Sequence, residues 1–350
     1  SSIEPSHFTR GTAYVAVNRY QLEDMKPYIW KTTDFGKSWT RLDGGLPPTE
    51  FVRVVREDPV RKGLLFAGTE RGVWVSFDDG ANWKSLRRNL PIVPVHDLAI
   101  KDGDLVAATH GRGFWILDDI SPLRQMTEQT ASAPVHLFKP KDAWRVIWGN
   151  PEETDAARPV GMNPPDGALI YYSLAEARQQ VTVDILDARH RLIKSFSSVQ
   201  DSLSRVDSIR ADSVHHFEVD SARRVRNDSL VKAGKQPDTS KVVYGGEESG
   251  LNEEEKPWPQ RVPPQPRAPD KQGLNRFAWN LRYPEVQGFA GMMDILTNGP
   301  IALPGRYWVR LHVGNYVDSA SFMLKEDPRV KAAPADIAAQ FAFLQQIRDT

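Results

Sequence analysis

The sequence predicts an all-β chain: a partial β-propeller, then a β-sandwich, then a short C-terminal helix. Three observations carry this reading. A Trp-ending turn motif occurs twice, 44 residues apart. Short stretches that alternate apolar and polar residues, separated by turn residues, make up the ordered part of the second half. The 350 residues include 26 Pro and 10 Trp but no Cys, which suits loop-rich β-structure better than an α/β enzyme.

The motif comes first. KTTDFGKSWTRL (31–42) and SFDDGANWKSL (76–86) align on Trp39 and Trp83. They share Thr32/Ser76, Asp34/Asp78 and Gly36/Gly80, giving Ser/Thr-x-Asp-x-Gly-x-x-Trp. A period of this length suits one four-stranded blade. Each residue type has a local structural role. The Asp accepts hydrogen bonds from N–H groups of its own turn. The Gly permits a positive φ. The Trp folds back as an apolar plug under the hairpin. These roles favour a structural turn over a metal or catalytic site, which would need different residues converging in one place.

A third, less complete unit follows. LLFAGTERGVWVSFDD (64–79) is echoed by DLVAATHGRGFWILDD (104–119), with Trp74 and Trp115 41 residues apart. This copy reaches Asp118-Asp119 and then runs into ISPLRQ, without a following Gly-x-x-Trp. FVRVVREDP (51–59) and VHDLAIKDG (95–103) supply the strands that open the second and third units, and GTAYVAVNRY (11–20) reads as the first strand of all. With only two or three units visible, the chain reads as the last blades of a longer propeller.

On these two motifs and GRGFWILDD, residues 10–125 resemble the bacterial-neuraminidase-repeat, or Asp-box, β-propellers. More closely, they resemble the bacterial relatives of the sortilin propeller, often labelled glycosyl hydrolases. GLNRFAWNLRYP, LPGRYWVRL and KEDPR resemble the immunoglobulin-like module of the same group. The resemblance implies a periplasmic, secreted or outer-surface protein whose signal peptide lies upstream. It implies a propeller face for a protein, peptide or glycan ligand. The alternative is a sialidase-like glycoside hydrolase whose active residues lie mainly in upstream blades. Whether the chain is an enzyme therefore stays open, and if it is one, it hydrolyses O-glycosidic bonds.

Composition narrows the partners. Lys and Arg number 45, as do Asp and Glu, so the net charge is formally zero. Nothing electrostatic points to nucleic acid or an anionic membrane. No apolar run is long enough to span a bilayer. The absence of Cys excludes disulfides, zinc thiolates and a cysteine nucleophile. No cofactor or metal site is expected: His110-x-Arg112 with Asp118-Asp119 reads as a turn, a buried strand and a second turn. The exposed edges of an unclosed propeller favour self-association.

The domain reading is residues 1–125 for the blades, 126–166 for a linker with an edge segment, 167–330 for the sandwich and 331–350 for the helical tail. TEQTASAP (127–134) is polar linker. VHLFKPKDAWRVIW, GALIYYSLA, VTVDILDARHRLIKSF, NRFAWNLRY, GRYWVRLHV and DSASFMLK are strands, with DARH (187–190) a hairpin turn. In GRYWVRLHV, Tyr307, Val309, Leu311 and Val313 share one face and Trp308, Arg310 and His312 the other. The stretch 198–270 is an insertion, first Ser/Asp/Arg-rich with one or two short helices, then Pro- and Glu-rich and extended.

The candidate site residues come from the GTERG and THGRG turns. Glu70 is the candidate acid or base, in glycosidase fashion. Arg71, His110 and Arg112 are the ligand-binding candidates, since guanidinium matches a carboxylate.

Overall fold

The computed structural model describes residues 2–146, 164–199, 226–227, 230–232, 266–285 and 298–349. The chain is mostly β, 43% strand against 13% helix, so the class expected from the sequence holds at that level. The described residues form two compact units. One comprises 2–141, 164–165 and 171–175; the other comprises 142–146, 166–170 and the described residues from 176 onward.

The first unit is a series of antiparallel meanders. The first runs β1 (Ser2–Pro5), β2 (Ala13–Arg19), β3 (Asp24–Thr32) and β4 (Thr40–Arg41). The second runs β5 (Val52–Glu57), β6 (Leu65–Thr69), β7 (Val73–Ser76) and β8 (Lys84–Ser85). The third has three strands, β9 (Val95–Lys101), β10 (Asp104–Thr109) and β11 (Phe114–Leu117). Strand order follows chain order in each sheet, and neighbours are antiparallel.

β1 corrects the expectation that residues 11–20 form the first strand. Its four residues carry one apolar side chain, Ile3, which is 71% exposed, so hydrophobic alternation gives it no signal. Polar contacts hold it instead. The Ser2 hydroxyl accepts from Val55 N–H, and Glu4 accepts from Glu57 N–H and pairs with Arg56.

Side-chain alternation explains how the sheets stack. β6 is buried at every position. Leu65 and Ala67 face Tyr14, Ala16 and Ile29 of the first meander, in a cluster that also holds Trp83. Phe66 faces the other way, with Val73, Val75, Val95, Leu98 and Leu105. A strand covered on both faces loses polar alternation, which is why LLFAGT reads as continuous apolar sequence. Gly68 is required here: a Cβ would lie 2.7 Å from Val54 Cγ1 and 2.9 Å from Val95 Cγ1.

After β11 the chain enters two short helices, α1 (Ser121–Gln125) and α2 (Glu128–Ser132). The polar stretch 127–134, expected as linker, thus contains a helical turn. Thr127 and Thr130 cap it reciprocally, side chain to backbone in both directions.

The strands of the second half are β12 (Val135–Leu137), β13 (Ala143–Arg145), β14 (Ala168–Leu174), β15 (Val181–Leu186), β16 (Leu192–Ser197), β17 (Gly273–Trp279), β18 (Gly305–Val313) and β19 (Tyr316–Glu326). One sheet has the order β13-β19-β18-β15-β16, with β13 parallel to β19. The other has the order β12-β14-β17. The inner face of the five-stranded sheet carries Tyr307, Val309, Leu311 and Val313, all buried as their alternation predicts. Trp279 of β17, fully buried, packs against it with ring centroids 5.4 Å from Tyr307 and 6.4 Å from Phe322. On the other face Asp184 accepts from Ser195, Arg310 and His312. The tail is the helix α3 (Pro334–Asp349). Most of the insertion 198–270 lies outside the described residues.

Candidate functional site

At one end of the first unit lie the β2–β3, β6–β7 and β10–β11 turns and the starts of β5 and β9. Each of the last two turns is tied to the first strand of its own sheet. Glu70 N–H donates to the Phe51 carbonyl at 3.3 Å, and His110 N–H donates to the Pro94 carbonyl at 2.9 Å.

Side chains from all three sheets meet there. Tyr20 stacks on Phe51 with ring centroids 5.1 Å apart. The Arg53 guanidinium lies 5.0 Å from the Phe51 ring centre and 5.8 Å from that of Tyr20. Its Nε and a terminal nitrogen donate to one oxygen of Glu70 at 2.8 and 2.7 Å. His96 and His110 stack at 5.0 Å with planes 15° apart. Burial lowers the His96 pKa below its ordinary value; Arg53 and His110 push the same way, and Glu70 opposes them. β5, which carries Arg53, lies against β9, which carries His96. The result is a ribbon from Tyr20 to His110, with Tyr20 39% exposed and both His rings open to solvent.

The sequence candidates divide accordingly. Glu70 and His110 belong to the ribbon. Arg71 and Arg112 are exposed residues of the same two turns. Their backbones close those turns: Arg71 N–H donates to Thr69 Oγ1, and the Arg112 carbonyl accepts from Trp115 Nε1. Sequence reasoning missed Tyr20, Phe51, Arg53 and His96. FVRVV shows that Phe51 and Arg53 lie on one side of a strand, but not which turns that side meets.

The opposite end carries the two motif turns, and their networks match. The Thr32 hydroxyl donates to Asp34 and accepts from Gly36 N–H, both at 2.9 Å. Asp34 also accepts from Ser38 N–H at 2.9 Å and from its hydroxyl at 2.6 Å. In the second copy, Ser76 donates to Asp78 at 2.7 Å and accepts from Gly80 N–H at 2.9 Å. Asp78 accepts from Asn82 N–H at 2.9 Å and from its side-chain amide at 2.8 Å. Gly36 and Gly80 have φ of 85° and 89°. Among the described residues, no three His, Asp or Glu side chains converge as a metal site requires.

The two Trp residues differ, and this corrects the expectation of a plug in both copies. Trp83 is 3% exposed and its Nε1 donates to the Leu42 carbonyl at 2.9 Å. It wedges against the first meander. Trp39 is 43% exposed, and its Nε1 returns to Gly36 of its own turn. Among the described residues no earlier sheet lies against the first meander to cover it.

Asp79, beside the motif Asp, crosses between sheets. It accepts from the Tyr14 hydroxyl at 2.5 Å and pairs with Lys31. Tyr14 also reaches buried Glu57 at 3.4 Å. Burial, then the bond to Asp79, pushes the Tyr14 phenol far above its usual range. Phe35 takes the Asp79 position in the first copy and packs on Gly11 instead.

These turns carry an acid-stability signature. Hydrogen bonds from the Ser38 hydroxyl and N–H, then from Thr32, lower the Asp34 carboxyl from 3.8 to about 2. For Asp78 burial pushes upward, but the bonds from Asn82 and Ser76 outweigh it and leave the carboxyl below 3.8. A carboxyl lowered by folding stabilises the protein fully above its unfolded pKa. That contribution is lost as pH falls through the folded value. Melting temperature, followed from about pH 5 to about pH 2, should therefore fall less steeply in Asp34→Asn than in the parent. Identical slopes would remove the turn bonds as the cause.

Comparison with known protein families and with curated proteins finds no match. Solved structures give distant likenesses. An ancestral GH74 enzyme is 22% identical over 32% of this chain and 13% of its own, with a TM-score of 0.27. YCF48 bound to D1 peptide is 18% identical over 33% of this chain and 36% of its own, with a TM-score of 0.25. PorZ, a bacterial surface component of the type-IX secretion system of Porphyromonas gingivalis, is 11% identical over 89% of this chain and 37% of its own, with a TM-score of 0.25. The chain spans well under half the length of each. The class rests on the sheets themselves: a mostly β protein of antiparallel meanders in series. No helix among the described residues is long and apolar enough to cross a membrane.

Proposed function

We propose that this chain holds blades of an exported, sortilin-like Asp-box propeller with an immunoglobulin-like module, and that it binds a protein, peptide or glycan. The ribbon from Tyr20 to His110 supports this reading. Tyr20 and the two imidazoles offer partly exposed ring faces, Arg53 is set between rings and a carboxylate, and Arg71 and Arg112 flank the ribbon as cations. Stacking faces with a few fixed polar groups are the ordinary make-up of a recognition surface. Glu70 serves the ribbon as Arg53's partner. In this reading Thr32, Asp34, Gly36 and Trp39, with Ser76, Asp78, Gly80 and Trp83, brace hairpins at the far end and touch no ligand.

The test is an immobilised panel of peptides and oligosaccharides probed with the chain. A retained ligand should lose at least about tenfold in affinity with Tyr20→Ala or His110→Ala, a size typical of interface anchors. The melting temperature should barely move, because both side chains are exposed. Retention unaffected by either change, or no retention, overturns the proposal. Turnover of aryl glycosides abolished by Glu70→Gln would instead establish the hydrolase alternative, which needs a second carboxyl about 5–9 Å away.

A further inference from the structure

The second unit has a cleft of about 320 Å³ where the β15–β16 turn meets the start of β18. Its lining includes Asp187, Arg189, Arg191, Gly305, Arg306 and Tyr307. Both walls are fixed. In the turn, Asp187 N–H donates to the Arg191 carbonyl and His190 N–H to the Asp187 carbonyl, both at 3.0 Å. The His190 ring packs on Trp308 of β18, with ring centroids 4.5 Å apart. On the strand side, the Tyr307 hydroxyl donates to the Leu303 carbonyl at 2.7 Å.

The charges at this cleft do not balance. Three arginines line it against one aspartate, and the aspartate is already engaged. Asp187 Oδ1 accepts from Arg189 N–H at 2.8 Å and from Arg191 N–H at 3.0 Å, and Oδ2 accepts from Arg191 Nε at 2.7 Å. Arg191 is thereby paired. Arg189 and Arg306 are exposed, and neither guanidinium has an acidic partner among the described residues. The cleft thus keeps two uncompensated positive charges, one from the turn and one from the strand.

A backbone donor joins them. Gly314 and Asn315 make a two-residue hairpin closed by Val313 and Tyr316, so Val313 and every second residue before it bond to β19. The N–H groups of Trp308, Arg310 and His312 then face β15, whose pairing with β18 ends at Leu186 opposite Trp308. Arg306 N–H points to the same side, where the chain has already turned away at Asp187. Among the described residues, no backbone acceptor outside the ladders takes it.

We propose that this cleft binds a phosphate monoester, with Arg189 and Arg306 as counter-charges and the Arg306 N–H as a backbone donor. Such a group carries a charge of about −1.5 to −2 at neutral pH and three acceptor oxygens, which matches two free guanidinium groups and one N–H. Arginine suits it because its planar fork of donors meets phosphate oxygens in pairs. A carboxylate or a sulfate ester brings a single charge and leaves one arginine unmatched. The site belongs to the second unit and does not depend on the ribbon.

The test is calorimetric titration of phenyl phosphate, and separately of phenyl sulfate, into the 350-residue chain. Both are run at constant ionic strength and about pH 7.5, above the second phosphate pKa. Saturable binding of one phenyl phosphate per chain is expected, tighter than that of phenyl sulfate, which has the same ring and less charge. Arg189→Gln with Arg306→Gln should weaken it at least about tenfold, the loss of one hydrogen bond to a charged group. The ligand-free melting temperature should not change, because both side chains are exposed. The comparison of the two esters uses the unaltered protein, so the test survives a poorly folded variant. No saturable binding, equal affinity for the two esters, or full binding by the double variant overturns the proposal. So does binding that Arg71→Gln with Arg112→Gln abolishes; the anion would then sit on the ribbon.

Discussion

Trp83→Ala is expected to destabilise the first unit by about 3–5 kcal/mol, the usual cost of emptying a large buried aromatic site. The ring is 3% exposed and lies among Tyr14, Ile29, Leu46, Val55 and Leu65, where the first and second meanders meet. The change removes packing from both sheets and leaves the Leu42 carbonyl without its Nε1 donor. Neighbouring β-strands cannot close such a gap without shifting their ladders. Trp39→Ala is the internal control. It removes the same side chain from the same motif position, but one that is 43% exposed and bonded only within its own turn. Its cost should stay below about 1.5 kcal/mol, in the range of exposed-site changes. Urea unfolding of both variants decides the matter. Equal losses would mean that Trp83 acts through its own hairpin and does not join the sheets.

Arg124→Ala is expected to cost a similar amount, about 3–5 kcal/mol, because it strands a buried charge. Asp58, in the β5–β6 turn, has no solvent exposure. It accepts from Val60 N–H at 2.8 Å, Arg61 N–H at 2.6 Å and Arg124 Nε at 2.9 Å. Arg124 sits in α1, and Arg61 adds donations to the Leu123 and Met126 carbonyls. The two arginines pin the helix that ends the third meander to a turn of the second. Removing the guanidinium alone takes away the cation that bonds the carboxylate directly, leaving only the nearby Arg61 charge. The double change Asp58→Asn with Arg124→Leu should therefore be milder than Arg124→Ala. A double variant worse than the single one would show that hydrogen-bond geometry dominates over charge at this contact.

The repeat was legible because its parts are local. Ser/Thr, Asp, Gly and Trp satisfy one another within eight residues, so spacing alone defines the turn. β18 was legible for the same kind of reason: Tyr307, Val309, Leu311 and Val313 alternate strictly, and one face of the strand is core. β1 was not legible. A strand of Ser-Ile-Glu-Pro, held by Ser2 and Glu4 to the second meander, has no periodic apolar signal to detect.

The candidate site shows the same division. Glu70 and His110 stand out as charged or titratable residues in glycine turns, which a sequence displays. Arg53 and His96 lie within strands that read as core or sheet, and nothing along the chain joins them to those turns. The sequence by itself determined the hairpins, the strand faces and the series of meanders, since each depends on neighbours a few residues apart. Only the tertiary structure decided which motif Trp is buried, which Asp crosses between sheets and which side chains form the ribbon. Those outcomes depend on how one sheet lies on the next, across separations of about forty residues, where local hydrogen bonding and alternation carry no information.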